Sequence, residues 1–197
     1  VVNGRCTATN LPWIIDARAL SRKLGIRRVT LLNDLVALSL GALAVARRKL
    51  HVMGRAGAPK RKGANIAVIA AGTGLGEGLL VWDGERFVPS ATEGGHTDLS
   101  ARDDLEVELL QYLRARFGHV SWERVLSGDG LGNVYDFFRQ AKNIGENKST
   151  ARTIEGAADR NAAIAELGMG GGSEAASRAV DLFASMYGAE AGNLALK

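Results

Sequence analysis

The sequence predicts an α/β fold, and three features of its patterning carry that prediction. Residues 16–24, 28–32 and 35–46 read as helix, short apolar strand and Ala/Leu-rich helix within one short span. A second apolar run at 65–71 passes through a glycine-rich corner into 79–82 and returns along 86–88, an antiparallel meander. From Leu105 onward the apolar positions recur with helical spacing almost to the end of the chain. Strands mixed with helices along one chain call for a sheet covered by helices.

In the first unit, Ala17, Leu20 and Leu24 share one face, Arg18, Ser21, Arg22 and Lys23 take the other, and Gly25 stands where a helix stops. Val29, Thr30, Leu31 and Leu32 then suit a buried, parallel strand, and Asp34 falls in the first turn of the helix that follows. Residues 47–62 interrupt this order with Arg47, Arg48, Lys49, His51, Arg55, Lys60, Arg61 and Lys62, several glycines, Pro59 and no acid, which reads as a solvated connector. Ile66, Val68 and Ile69 mark the next buried strand, and Asp83-Gly84 is the turn signal between the last two strands of the meander. Leu105, Leu109, Leu110, Leu113 and Phe117 line one face of a helix with Asp103 and Asp104 at its positive end. Further helices are expected at 131–141, 153–167 and 174–196, with Ser127-Gly128-Asp129-Gly130 and 168–172 as breaks.

The chain has 197 residues, with 46% hydrophobic and 23% charged, which fits a globular protein and excludes collagen, coiled coil and extended disorder. Its net charge of +4 comes from 25 Lys+Arg against 21 Asp+Glu. The basic run lacks the interleaved aromatic residues on which bases stack, so no nucleic-acid partner is expected. The most apolar stretch, 30–46, is too short and too polar at its start for a bilayer, and no charged n-region precedes an apolar run at the N-terminus. No membrane association is expected. A lone cysteine, Cys6, excludes an internal disulfide and a cysteine-cluster zinc site, and points to a reducing, cytoplasmic setting.

Four segments carry candidate chemistry. Gly72-Thr73-Gly74-Leu75-Gly76-Glu77-Gly78 fails the dinucleotide spacing, since Glu77 or Leu79 stands where the third glycine belongs and a strand follows. It also lacks the lysine of a P-loop. What remains is a strand–Gly-Thr-Gly–strand corner that suits either a phosphate cradle or a plain hairpin. Asn33-Asp34, between strand and helix, suits either a helix cap or a ligand crevice. Glu93-Gly94-Gly95-His96 sets an acid and an imidazole around two glycines, too flexible for a plain core segment, and no pattern of metal-ligating histidines is present. Ser121-Trp122-Glu123-Arg124 reads by itself as a helix start with Ser121 as its cap.

In combination and order these segments resemble bacterial glucokinases, of the hexokinase-like group in the sugar kinase and actin-like ATPase superfamily. The resemblance is carried by Leu31-Leu32-Asn33-Asp34, Ala71-Gly72-Thr73-Gly74-Leu75-Gly76, Glu93-Gly94-Gly95-His96, Gly118-His119-Val120-Ser121-Trp122-Glu123-Arg124-Val125-Leu126-Ser127-Gly128 and Gly192-Asn193-Leu194-Ala195-Leu196. It implies an incomplete actin-like ATPase (ribonuclease H-like) sugar kinase fold with two domains around a cleft. Residues 1–50 would be the remainder of the small domain, 51–64 a basic connector and 65–197 the larger domain. It further implies that glucose is phosphorylated at its 6-hydroxyl with ATP and Mg²⁺. Asn33 and Asp34 would bind sugar hydroxyls, with Asp34 as general base. Glu93, His96 and Glu123 would bind the remaining hydroxyls, and Gly72, Thr73, Gly74 and Gly76 the nucleotide phosphates. No metal-ligating side chain is assigned, and a homodimer is implied because the glucokinases it resembles are commonly dimers.

Family members are longer, and the Asp-Gly-Gly-Thr-type phosphate segment, the adenosine segment and the closing helix find no counterpart here. A fragment lacking both ends is therefore expected, inactive alone or retained as a non-catalytic sugar-binding or interaction module. In such a fragment the strand at 28–32 would lack its neighbours, leaving 1–50 weakly stabilised.

Overall fold

The computed structural model describes residues 4–7, 12–53 and 63–196. Most of the expected connector, 54–62, lies outside the described residues. Two units are distinguished: the described residues of Val1–Ala64 with Leu80–Ala91, and of Asn65–Leu79 with Thr92–Lys197.

The first unit opens with a two-stranded antiparallel ladder that the sequence patterning did not reveal. Strands β1 (Arg5–Thr7) and β2 (Ile14–Asp16) pair Arg5 with Asp16, Cys6 with Ile15 and Thr7 with Ile14. Each is a single short run, below the length at which alternation becomes readable. Asp16 then acts twice. Its carboxylate accepts the Ala19 N–H at 2.9 Å as the cap of α1 (Ala17–Leu24) and lies 3.2 Å from the Arg5 guanidinium. The Ala19 N–H foremost, then the Arg18 N–H and the charges of Arg5 and Arg22, hold this carboxyl below the usual aspartate range. Helix α1 ends as expected at Gly25, whose φ of 65° a side chain would resist.

Residues 28–32 form no strand, contrary to expectation. A strand exists only through its ladder, and among the described residues none pairs with this run. Helix α2 (Asp34–Ala44) follows, but its cap is Asn33, whose side-chain oxygen accepts from Leu35 N at 2.9 Å and Val36 N at 3.2 Å. Asp34 lies in the first turn, as expected, and its carboxylate accepts from Leu35 N, so of the pair Asn33-Asp34 it is Asn33 that takes the cap position. Although α2 is apolar nearly all round, it buries only Leu35 and Ser39, while Leu38 and Leu43 remain 52% and 44% exposed.

A three-stranded sheet runs in the order β3 (Ile66–Ala71), β4 (Leu75–Trp82), β5 (Phe87–Thr92). Strand β4 begins at Leu75 rather than at Leu79, so the glycine corner shrinks to 72–74. The turn between β4 and β5 closes with the Asp83 N–H on the Arg86 carbonyl, while the Asp83 carboxylate accepts from Glu85 N and Arg86 N at 2.9 Å each.

The second unit is built from helices α3 (Asp104–Phe117), α4 (Gly128–Gln140), α5 (Lys148–Gly156), α6 (Arg160–Met169) and α7 (Glu174–Ala195). All five begin on a side-chain cap, respectively Asp103, Ser127, Asn147, Asp159 and Ser173. Two boundaries differ from expectation. Ser127 caps α4, so Ser-Gly-Asp-Gly is that helix's cap and first turn rather than a loop. The single helix expected at 153–167 is two, because Ala157 is extended and Asp159 captures the N–H groups of Asn161 and Ala162 to start a new helix.

Leu109, Leu113, Val125, Leu126, Val134, Phe137, Ile154, Ile164, Ala176, Ala179 and Met186 form a common core around α4 and α7. Small residues let α7 come close: a methyl at Gly168 of α6 would lie 2.7 Å from the Ala176 carbonyl. The Tyr187 hydroxyl on α7 donates to the Ile69 carbonyl at 3.1 Å and ties the helix to β3. Glu106, fully buried, is held by the Arg102 backbone N–H at 2.8 Å and by its guanidinium, so its charge is compensated where an unpaired one would be costly.

Amide exchange is expected to be faster across 17–46 than across 105–117, and equal protection would overturn the contrast in burial. Acid should loosen the first unit before the core. The Asp16 carboxyl is lower in the folded chain than the roughly 3.9 of an unfolded one. Its stabilisation is therefore present above about pH 4 and lost as pH falls through the folded value. Asp16→Asn retains a capping oxygen and should flatten this pH dependence, read by exchange in 14–24.

Candidate active site

Residues Glu93, His96, Glu123 and the 72–76 corner all lie in the second unit, and the structure brings them together. Gly94–His96 forms a single 3-10 turn, with His96 N–H on the Glu93 carbonyl at 3.0 Å and Thr97 N–H on that of Gly94 at 2.9 Å. The glycine pair therefore serves close packing rather than flexibility. A Cβ on buried Gly95 would stand 2.2 Å from the Leu75 carbonyl, and one on Gly94 would meet the Glu77 carboxylate.

Glu123 reaches this turn because two segments pair beside it. Leu99 N–H donates to the Val120 carbonyl at 3.0 Å and Trp122 N–H to that of Thr97 at 3.1 Å. The buried Trp122 opens the 3-10 turn Trp122–Arg124. Ser121 precedes this turn without making a side-chain cap bond, against the expected capping role. The Ser127 hydroxyl fixes the backbone from the other side by donating to the Glu123 carbonyl at 2.8 Å. The His96 imidazole consequently stands between two carboxylates, Nδ1 3.7 Å from Glu123 Oε1 and Nε2 3.9 Å from Glu93 Oε2. Its side chain is 61% exposed and that of Glu123 31%, so an incoming polar molecule can reach both.

The glycine corner abuts the same carboxylate. Gly72 N–H closes the turn on the Gly74 carbonyl at 2.8 Å, and Leu75 N–H donates to Glu123 Oε2 at 2.9 Å. Those two N–H groups are occupied. The N–H groups of Thr73 and Gly74 and the Thr73 hydroxyl take no hydrogen bond within the described residues. Gly128, first residue of α4, donates to the Gly72 carbonyl at 2.8 Å, so the corner sits on the helix's positive end. A cavity of about 60 Å³ at this junction is lined by Thr73, Glu123, Ser127, Asp129 and Asn133, among others. The Thr73 hydroxyl at this helix N-terminus suits a phosphate oxygen, whereas the Ser127 hydroxyl is already spent on the Glu123 carbonyl and Glu123 and Asp129 add negative charge to the lining. Gly76 lies just inside β4. Among the described residues, no group of three or more His, Cys, Asp or Glu could hold a metal ion.

Asn33 and Asp34 belong to the first unit, where they open α2 with exposed side chains. Asp129 and Asn133 were not singled out from the sequence. The only signal for them was Ser127 followed by N–H groups needing a cap, which places the next helical turn on the corner.

Gly95→Ala should cost about 1–3 kcal/mol through overpacking against the Leu75 carbonyl. Urea unfolding reads this directly, and an unchanged midpoint would contradict the close approach.

The glucokinase family model matches residues 1–197. Glucokinases from Nostoc sp. (strain PCC 7120) and Synechocystis sp. (strain PCC 6803) are 37% and 35% identical to the chain across its full length, which spans 60% and 59% of theirs. The crystal structure of a glucokinase from an Antarctic psychrotroph superposes with a TM-score of 0.80 at 28% identity, covering all of this chain and 57% of that one. The α/β sugar kinase fold expected from the resemblance is thus the one observed, over about three-fifths of the length of the curated relatives. By sequence and by fold, the chain belongs to the glucokinase family.

Proposed function

We propose that the protein to which this chain belongs transfers the γ-phosphoryl group of ATP to the 6-hydroxyl of glucose. The observation that carries this reading is the meeting of His96, Glu93 and Glu123 with a glycine corner that keeps donors for an anion. A sugar offers hydroxyls that both donate and accept, which two carboxylates and an imidazole can match in either sense. The neighbouring Thr73 and Gly74 donors suit the phosphates of the second substrate.

In this reading Asn33, Asp34, Glu93, His96 and Glu123 bind the sugar, and Gly72, Thr73, Gly74 and Gly76 bind the nucleotide phosphates. Asp34, an exposed carboxylate at the start of α2, accepts the proton of the 6-hydroxyl as its oxygen attacks. Mg²⁺ bound to the phosphates supplies charge neutralisation, and a few phosphate and carboxylate oxygens satisfy it without a dedicated protein cage. The residues of this chain contribute chiefly position, which is most of what phosphoryl transfer asks of a protein. We place the protein in the cytoplasm as a homodimer, with 1–50 and 65–197 as parts of its small and large domains.

Glucose 6-phosphate formation, measured with ATP and Mg²⁺, tests the reading. Asp34→Asn should lower the rate by about 10²–10⁴. His96→Ala should weaken glucose binding about tenfold, as expected for one lost hydrogen bond to a polar ligand. Glucose binding can be followed separately through the fluorescence of Trp122, which adjoins Glu123. Binding without turnover by the complete protein would favour the non-catalytic sugar module instead, and unchanged affinity in His96→Ala would refute the site.

A further inference from the structure

We propose that Glu123 is a positioning residue for the glycine corner, in addition to any contact it makes with sugar. The inference rests on the reading of 72–76 as the phosphate-binding segment and names the side chain that sets its shape.

The two oxygens of Glu123 have different tasks. Oε1 faces the His96 ring at 3.7 Å, on the side proposed for sugar. Oε2 accepts the Leu75 N–H at 2.9 Å, across 48 residues of sequence. That N–H belongs to the residue at which the corner ends and β4 begins. On its other side the corner is held by the Gly128 N–H on the Gly72 carbonyl, and internally by Gly72 N–H on the Gly74 carbonyl. The turn thus has two tethers to the segment 123–128, one of backbone and one of carboxylate, and loss of the carboxylate leaves only the first.

The corner is also shaped around this side chain. A Cβ on Gly74 would fall 2.4 Å from Glu123 Oε2, so glycine here makes room for the carboxylate. Glu123 in turn sits on fixed backbone, with Ser127 bonded to its carbonyl and Trp122 N–H bonded to the Thr97 carbonyl. A hydrogen bond to an ionised acceptor is among the stronger ones available to a protein. Spent on the Leu75 N–H, it fixes the end of the corner, while the neighbouring Thr73 and Gly74 N–H groups take no hydrogen bond within the described residues. A residue acting only on sugar would need none of this.

Amide exchange of the 197-residue chain without ligand, together with the ATP–Mg²⁺ affinity of the complete protein measured in the absence of sugar, tests the proposal. In Glu123→Ala, exchange at Leu75 and the adjoining corner amides should accelerate about tenfold or more, and ATP should bind about tenfold more weakly. Glu123→Gln, whose amide oxygen can accept the same N–H, should recover most of both, although sugar affinity falls in each variant. Gly74→Ala, which displaces the carboxylate without removing it, should reproduce the alanine phenotype at the corner. Exchange across 105–117 should stay unchanged in all three, separating a local effect from loss of the fold. Unaltered exchange at Leu75 in Glu123→Ala, or ATP affinity equal to that of the unsubstituted protein, would overturn the positioning role alone. Failure of the complete, unsubstituted protein to bind ATP would overturn the phosphate reading and this inference with it.

Discussion

The junction of the glycine corner with the start of α4 is the constraint on which the geometry of the second unit's site depends. The Gly128 N–H on the Gly72 carbonyl and the Leu75 N–H on Glu123 join segments about fifty residues apart in sequence. Closing such a loop costs chain entropy, and two hydrogen bonds alone would not offset it. The closure is supported from beneath by Leu75, Trp122, Val125 and Leu126, all buried in the common core, so apolar packing brings the segments together and the polar bonds set their register. With the corner in place, Gly95 packs against the Leu75 carbonyl and the 93–96 turn is pressed against the same edge. His96 then reaches Glu123 as a consequence of packing rather than by mutual attraction of two exposed groups, which is worth little in water.

The two units differ in how their apolar residues are used. In the second, α4 and α7 bury nearly every large side chain they turn inward, and the buried charge of Glu106 has its arginine. In the first, α2 is more apolar than any helix of the second unit, yet leaves Leu38 and Leu43 substantially exposed. The same contrast appears in the hydrogen bonding. Strand β3 and the start of β4 find partners in a sheet, while 28–32 finds none among the described residues. Local order in the described residues before 54 rests on a short ladder and on caps, Asp16 for α1 and Asn33 for α2, which are interactions between near neighbours in sequence.

Legibility in the sequence follows the range of the interaction involved. Helix α1 with Gly25, helix α3 with its Leu109–Leu113 stripe and the long α7 were readable because periodicity and caps are local. The division of 148–169 into two helices was not, since Asp159 had to outcompete an alanine-rich stretch that could have continued as helix. The role of the glycines was readable at 72–74 as a corner but misread at 94–95 as flexibility. Only the fold shows that Leu75 leaves no room there for a methyl group.

By itself the sequence determined most of the helices, the meander of β3, β4 and β5 and the residues that carry the family resemblance, because each of these depends on neighbours a few positions away. Tertiary structure decided which of those residues meet. It set Glu123 and His96 within 4 Å, placed the start of α4 beneath Gly72, and left 28–32 without a ladder. Such contacts are set by how distant apolar surfaces bury one another, and a pattern read along the chain contains no distance between segments.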